Sequence, residues 1–202
     1  MKKNNILKTL ALVGCAIRLV AVSIAGTMAY MTSKTGTITN TFTVGQVNIT
    51  MDEAVADAYG AVADPANRAN ITDFNYKLIP GRKYVKDPTI RVTTGSEQCY
   101  LFVEVNNGIS AIEVEGNTTI EAQMTANGWT KLNGTNVWYH AIVDARNTTV
   151  DVPVFGSFTI DGEANTADYA SAKITVTAYA VQADGFNDAA DAWAKTFGKS
   201  GT

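Results

Sequence analysis

Alternation of apolar and polar residues is the strongest constraint on this chain, and the alternating run nearest the N-terminus changes phase part-way along. From Thr35 to Val44 the apolar residues Ile38, Phe42 and Val44 share one parity, while Thr37, Thr39, Thr41 and Thr43 share the other. After Gly45 the phase flips, and Val47, Ile49 and Met51 become the apolar set, with Asn48 and Thr50 between them. A period of two sends successive side chains to opposite faces of a strand, so each run reads as a strand with one buried face. A flip at a glycine marks either a bulge in one long strand or the boundary between two strands. On the second reading, residues 30–44 form a strand able to leave the body of the domain, and the first resident strand begins after Gly45.

The same patterning continues along the chain. Asn75–Thr94 reads as strand, Pro80-Gly81 turn, strand, with Pro88 at a strand start or edge because it cannot donate to a ladder. Cys99, Leu101, Val103 and Val105 alternate with Tyr100 and Phe102, so 98–105 is apolar on both faces and reads as a central strand. Trp129–Val143 reads as a hairpin turning at Asn133-Gly134. Thr149–Ile160 is a strand pair or a strand broken at Gly156, and Lys173–Val181 is a long clean strand. Thr118 with Glu121 fits a capping box, predicting a short helix to about Ala126 with Ile120 and Met124 inward. Asn187 reads as the cap of a second helix, with Ala189, Trp193 and Phe197 on one stripe and Gly198 as its stop.

The least regular stretch, 52–74, reads as a surface insertion that opens in a short helix and breaks at Gly60 and Asp64-Pro65. Its carboxylates, Asp52, Glu53, Asp57 and Asp64, read as solvated charge, and their spacing matches no EF-hand loop. Many short strands, two short helices and no linker predict an all-β fold, an antiparallel jelly-roll-like β-sandwich in a single domain over 30–202.

The first 29 residues have the layout of a secretory signal peptide: Lys2, Lys3 and Lys8, then a largely apolar run interrupted by Arg18. Small residues at Thr27 and Ala29 place cleavage between Ala29 and Tyr30, with Ser23-Ile24-Ala25 as a second candidate. Leu12-Val13-Gly14-Cys15 also fits a lipoprotein box, although the apolar run continues past Cys15. With the four leader cations gone, 12 basic residues face 19 acidic ones, and no Lys/Arg cluster follows. Nucleic acid is therefore not an expected partner. Cys99 would be the one cysteine left, too far from any base in sequence to read as a nucleophile, and it is expected in the core.

Three stretches together resemble the TasA/camelysin family of secreted bacterial matrix proteins, whose leaders are cut by a SipW-type signal peptidase. They are GTMAYMTSKTGTITNTFTVGQVNITM, LIPGRKYVKDPTIRVTTGSEQCYLFVEV and KITVTAYAVQADGFNDAADAW. The 52–74 stretch and 106–170 match less clearly. The resemblance implies a jelly-roll fold, export from a Gram-positive bacterium, and a place in the cell envelope or biofilm matrix. It further implies fibres built by donor-strand complementation, with self as the main partner and other matrix proteins as further ones. Carried onto this chain, the donor is 30–44, with Ile38, Phe42 and Val44 entering a neighbour's groove. Such strand addition gains main-chain hydrogen bonds and fills pockets with alternate side chains, and a head-to-tail contact that does not close propagates as a filament.

Two other functions compete with the structural fibre subunit. Camelysin-type relatives are described as envelope-bound metalloproteases, but this chain has no H-E-x-x-H and one histidine, His140. No enzymatic activity, metal or other cofactor is expected. A carbohydrate- or surface-binding accessory module would use Trp129, Trp138, Tyr139 and Tyr169 as stacking platforms, positions that read at least as well as core or strand-edge aromatics.

Overall fold

The computed structural model describes residues 46–70 and 75–198, all within the unit Val44–Thr202. The expected signal peptide, its cleavage site at Ala29 and Tyr30, and the donor residues Ile38, Phe42 and Val44 lie outside the described residues.

Among the described residues the chain is all-β, with antiparallel sheets and two α-helices. One sheet has the order β2 (Arg68–Ala69), β1 (Ile49–Ala54), β4 (Thr89–Val92), β8 (Val150–Pro153). The other runs β10 (Ile174–Gln182), β5 (Cys99–Asn107), β7 (Val137–Val143), β6 (Trp129–Lys131). A small pair joins β3 (Lys83–Val85) to β9 (Ser157–Thr159). The helices are α1 (Ile120–Ala126) and α2 (Ala189–Thr196).

The central strand is β5, as its two apolar faces predict. It pairs with β10 on one side and β7 on the other. Its Cys99, Leu101, Val103 and Val105 enter a buried cluster that also takes Ile90, Val92 and Val152 from the other sheet. One core thus serves both sheets. The opposite face of β5 sends Phe102 into a second cluster with Val137, Ala189 and Ala192. There α2 lays its stripe on the sheet, and the Trp193 ring sits 5.2 Å from Phe102 and 5.3 Å from Tyr179.

Both helices start one residue later than expected. Thr119, not Thr118, caps α1, its hydroxyl accepting from Ala122 N–H at 3.2 Å. Glu121 leaves the capping box and reaches Lys131 at 2.6 Å, while buried Glu113 accepts from Ile120 N–H at 3.3 Å. Asp188, not Asn187, caps α2, accepting from Asp191 N–H at 2.8 Å. Adjacent residues of equal capping strength leave the position to tertiary contacts.

The expected insertion over 52–74 needs correction. Asp52, Glu53 and Ala54 continue β1, and Glu53 and Ala54 are buried. No helix follows. Asp57 instead gathers the N–H groups of Tyr59 and Ala61 at 2.8 and 2.9 Å, closing a tight turn bridged by Ala56 and Val62. Aspartate favours this local bonding over helix. The strand expected just before Pro80 is absent too: 75–79 forms none. The two strands in 149–160 separate at Gly156 and serve different partners, β8 with β4 and β9 with β3. The hairpin at Asn133-Gly134 forms as read, with Gly134 at φ 74°.

Gly60 is the sharpest backbone requirement. Its φ is 73°, and a β-carbon there would lie 2.5 Å from Cα of the fully buried Tyr84. Both the left-handed conformation and the close approach demand glycine. Gly60→Ala is expected to destabilise the domain by about 2–4 kcal/mol, read as a lower urea midpoint.

Candidate functional site

A sheet edge exposes unpaired N–H and C=O groups, and folds usually blunt it with short strands, proline or charge. The edge strand β2 has two residues, β6 has three, and β8 has four and ends in Pro153. The fourth edge strand, β10, has nine residues, ITVTAYAVQ, with no charge and no proline. Among the described residues no strand pairs with its outer edge.

Register fixes which groups face outward. Gly108 N–H donates to Lys173 O and Ala183 N–H donates to Gln98 O, so the odd-numbered residues of β10 bond to β5. In an antiparallel ladder the alternate residues then point their backbone the other way. Those are Ile174, Val176, Ala178 and Ala180, whose side chains pack on the main core yet remain half-buried. The edge with free hydrogen-bonding groups is also the edge with an incompletely covered apolar face.

Beside it lies a groove of about 700 Å³, running from Met51 of β1 to Ile174 and Val176 of β10. Leu78, Ile109 and Phe158 complete its apolar lining. The floor is held by rings: Tyr84 stacks on Phe158 at 4.9 Å, and Tyr76 meets Phe158 edge-on at 5.5 Å. The Tyr84 hydroxyl accepts from Ile79 N–H at 2.7 Å and donates to Lys77 O. The Tyr76 hydroxyl donates to Val85 O at 3.0 Å, and burial, with Glu53 and Asp87 nearby, pushes it well above the usual phenol range.

One rim is pinned by ion pairs. Arg68 reaches Asp52 at 2.7 Å and Asp87 at 2.6 Å, and also bonds Thr89 Oγ1 at 3.1 Å. Asp87 in turn accepts from Ala54 N–H at 2.7 Å. One guanidinium thereby ties β2, β1 and β4 together. Lys86 pairs with the buried Glu53 at 2.8 Å. The carboxylates considered for a cation are therefore engaged otherwise: Asp52 and Glu53 in these pairs, Asp57 and Asp64 in turns. Among the described residues no group of three or more metal-ligating side chains occurs.

The remaining candidates are dispersed. His140 is half-buried on β7, its Nδ1 3.1 Å from Ala141 O and its ring edge-on to Trp129. Trp129 and Trp138 are buried, and Trp129 Nε1 donates to Pro153 O at 2.9 Å, so neither presents a face to a sugar. Tyr139 is half-buried, and Tyr169 borders the groove. Cys99 is fully buried, and desolvation raises its thiol to about 11. Arg68, Tyr76 and Phe158 are site residues that the sequence pattern does not single out.

No family model, curated protein or solved structure matches this chain. Among the described residues no helix is long and apolar enough to cross a membrane.

Two expectations follow from this geometry. Arg68→Ala should cost about 2–3 kcal/mol in urea unfolding, since it strands two carboxylates, and Arg68→Lys should not restore it, lacking the planar fork. Cys99 should resist a thiol reagent at pH 8 until the chain unfolds. Its folded pKa lies above the unfolded value, so its contribution to stability is present below about pH 8.5 and is lost as pH rises toward 11.

Proposed function

We propose that this chain is a secreted structural subunit of a bacterial cell envelope or biofilm matrix. It assembles into fibres by lending an N-terminal strand to a neighbour, and it has no catalytic role. In this reading a SipW-type signal peptidase releases the mature chain at Tyr30. The two sheets belong to a jelly-roll-like sandwich lacking one strand at the β10 edge. The missing strand is 38–44, with Ile38, Phe42 and Val44 as its inward residues.

One observation carries the proposal. The longest edge strand is neither shortened, charged nor broken by proline, and it stands over a half-covered apolar groove. An added strand satisfies both deficits at once, through main-chain bonds and through alternate side chains. The resemblance of three stretches to the TasA/camelysin family supports the same reading.

The test compares a chain beginning at Tyr30 with one beginning at Gly45, by size-exclusion chromatography and electron microscopy. Filaments are expected from the longer chain alone, and Phe42→Asp should reduce them at least tenfold. If both chains stay monomeric under all conditions, the fibre reading fails, and an accessory binding module becomes the better account.

A further inference from the structure

We propose that the strand added to β10 runs antiparallel to it, and that for this reason it is supplied by a second copy and never by the chain's own N-terminus. The inference rests on the fibre reading and gives its contact a direction.

The first argument is fit. The inward residues of the segment are Ile38, Asn40, Phe42 and Val44, and the outward-bonding residues of β10 are Ile174, Val176, Ala178 and Ala180. Each set has four positions of one parity, so a full match has two polarities. Antiparallel, Phe42 falls opposite Val176, at the end where Met51, Leu78, Ile109 and Phe158 leave about 700 Å³. Parallel, Phe42 falls opposite Ala178, which does not line the groove, and the polar Asn40 takes the apolar place beside Val176. Antiparallel addition also continues the ladder of a wholly antiparallel sheet, with the better bond geometry.

The second argument is reach. Antiparallel pairing sets Val44 opposite Ile174. The chain's own Gln46 is at the other end of β10: Gln46 O accepts from Glu97 N–H, and the next residue, Gln98, accepts from Ala183 N–H. Ile174 and Ala183 are nine residues apart, about 30 Å along a strand. Val44 and Gln46 are separated by Gly45 alone, which spans at most about 7 Å. The chain's own segment therefore reaches this edge only in the parallel sense. A second copy has no such restriction.

Introduced cysteines read the polarity directly. Thr175 and Thr177 are exposed on the outer face of β10. In the antiparallel register Thr43 stands opposite Thr175 as a non-hydrogen-bonded pair, with Cα atoms about 4.5 Å apart, within disulfide range. In the parallel register Thr39 takes that place. The full chain, expressed with its leader in a secreting host and carrying Cys15→Ser, provides the background, and buried Cys99 does not compete. Mild oxidation of Thr43→Cys/Thr175→Cys should give a ladder of covalent multimers on non-reducing gels, and Thr39→Cys/Thr175→Cys should not. A mixture of the single variants Thr43→Cys and Thr175→Cys should give cross-linked dimers.

A compact cross-linked monomer from Thr39→Cys/Thr175→Cys would overturn the proposal in favour of parallel self-insertion. Filaments that form without either cross-link would overturn the register while leaving the fibre reading in place. Absence of filaments from the unsubstituted chain would remove the fibre reading and this inference together.

Discussion

Backbone hydrogen bonds at a sheet edge have to be satisfied by something, and this requirement orders the rest of the structure. Three edge strands are kept short, and β8 ends in a proline that has no N–H to offer. The β6 edge carries Lys131, which crosses to Glu121 at 2.6 Å. No such device acts on β10. Its outward residues are aliphatic, and its exposed residues Thr175 and Thr177 carry no charge. A soluble monomer with that edge left bare would carry an aggregation hazard, so its sequence makes more physical sense if another strand belongs there.

The groove keeps its shape because its walls are fixed from behind. β5 is held on both faces by separate clusters, so the strand that bears β10 cannot shift without disturbing both. Arg68 locks β1 to β2 and β4 through charge-assisted bonds, and Tyr84 bridges Ile79 and Lys77 through its hydroxyl. Glu113 does comparable work beyond the site. It is buried, and it accepts from Asn107 Nδ2 at 3.1 Å and from Ile120 N–H, joining the end of β5 to the start of α1. Burial pushes its carboxyl up, against the two hydrogen bonds that favour the charged form.

Much of this fold was legible wherever one residue class repeats with one period. β5, the Asn133-Gly134 hairpin, β10 and the stripe of α2 all follow from alternation or helical spacing. The errors arise where the pattern is local but the outcome is tertiary. Asp52–Ala54 looks like the start of an acidic loop, yet Arg68 and Lys86 supply the countercharges that let it stay in β1. Thr118 and Thr119 are equivalent caps until Glu113 arrives from elsewhere in the fold. The site was half legible. KITVTAYAV reads as a strand, but nothing in it says edge, because edge status depends on which strands lie beside it. The groove unites Met51, Leu78, Ile109, Phe158 and Ile174, residues more than a hundred positions apart at the extremes, and no spacing rule connects them.

The energetics of filling such a groove are nearly balanced, and that balance bears on how a fibre subunit stays soluble before assembly. Burying Ile38, Phe42 and Val44 contributes about 5–8 kcal/mol at typical side-chain values. Six or so main-chain bonds at about 1 kcal/mol each add a similar amount. Fixing seven residues costs about 7–14 kcal/mol of backbone entropy. Gain and cost agree to within a few kcal/mol, so neither the side chains nor the backbone bonds hold the strand alone. A groove of this kind can stand empty without unfolding the domain, because its floor is stabilised by Tyr84, Phe158 and the Arg68 ion pairs and not by the strand that fills it. Occupancy then depends on concentration and on how well one large side chain fits. This makes Phe42, with the greatest apolar area of the three, the residue whose placement decides the direction of the strand.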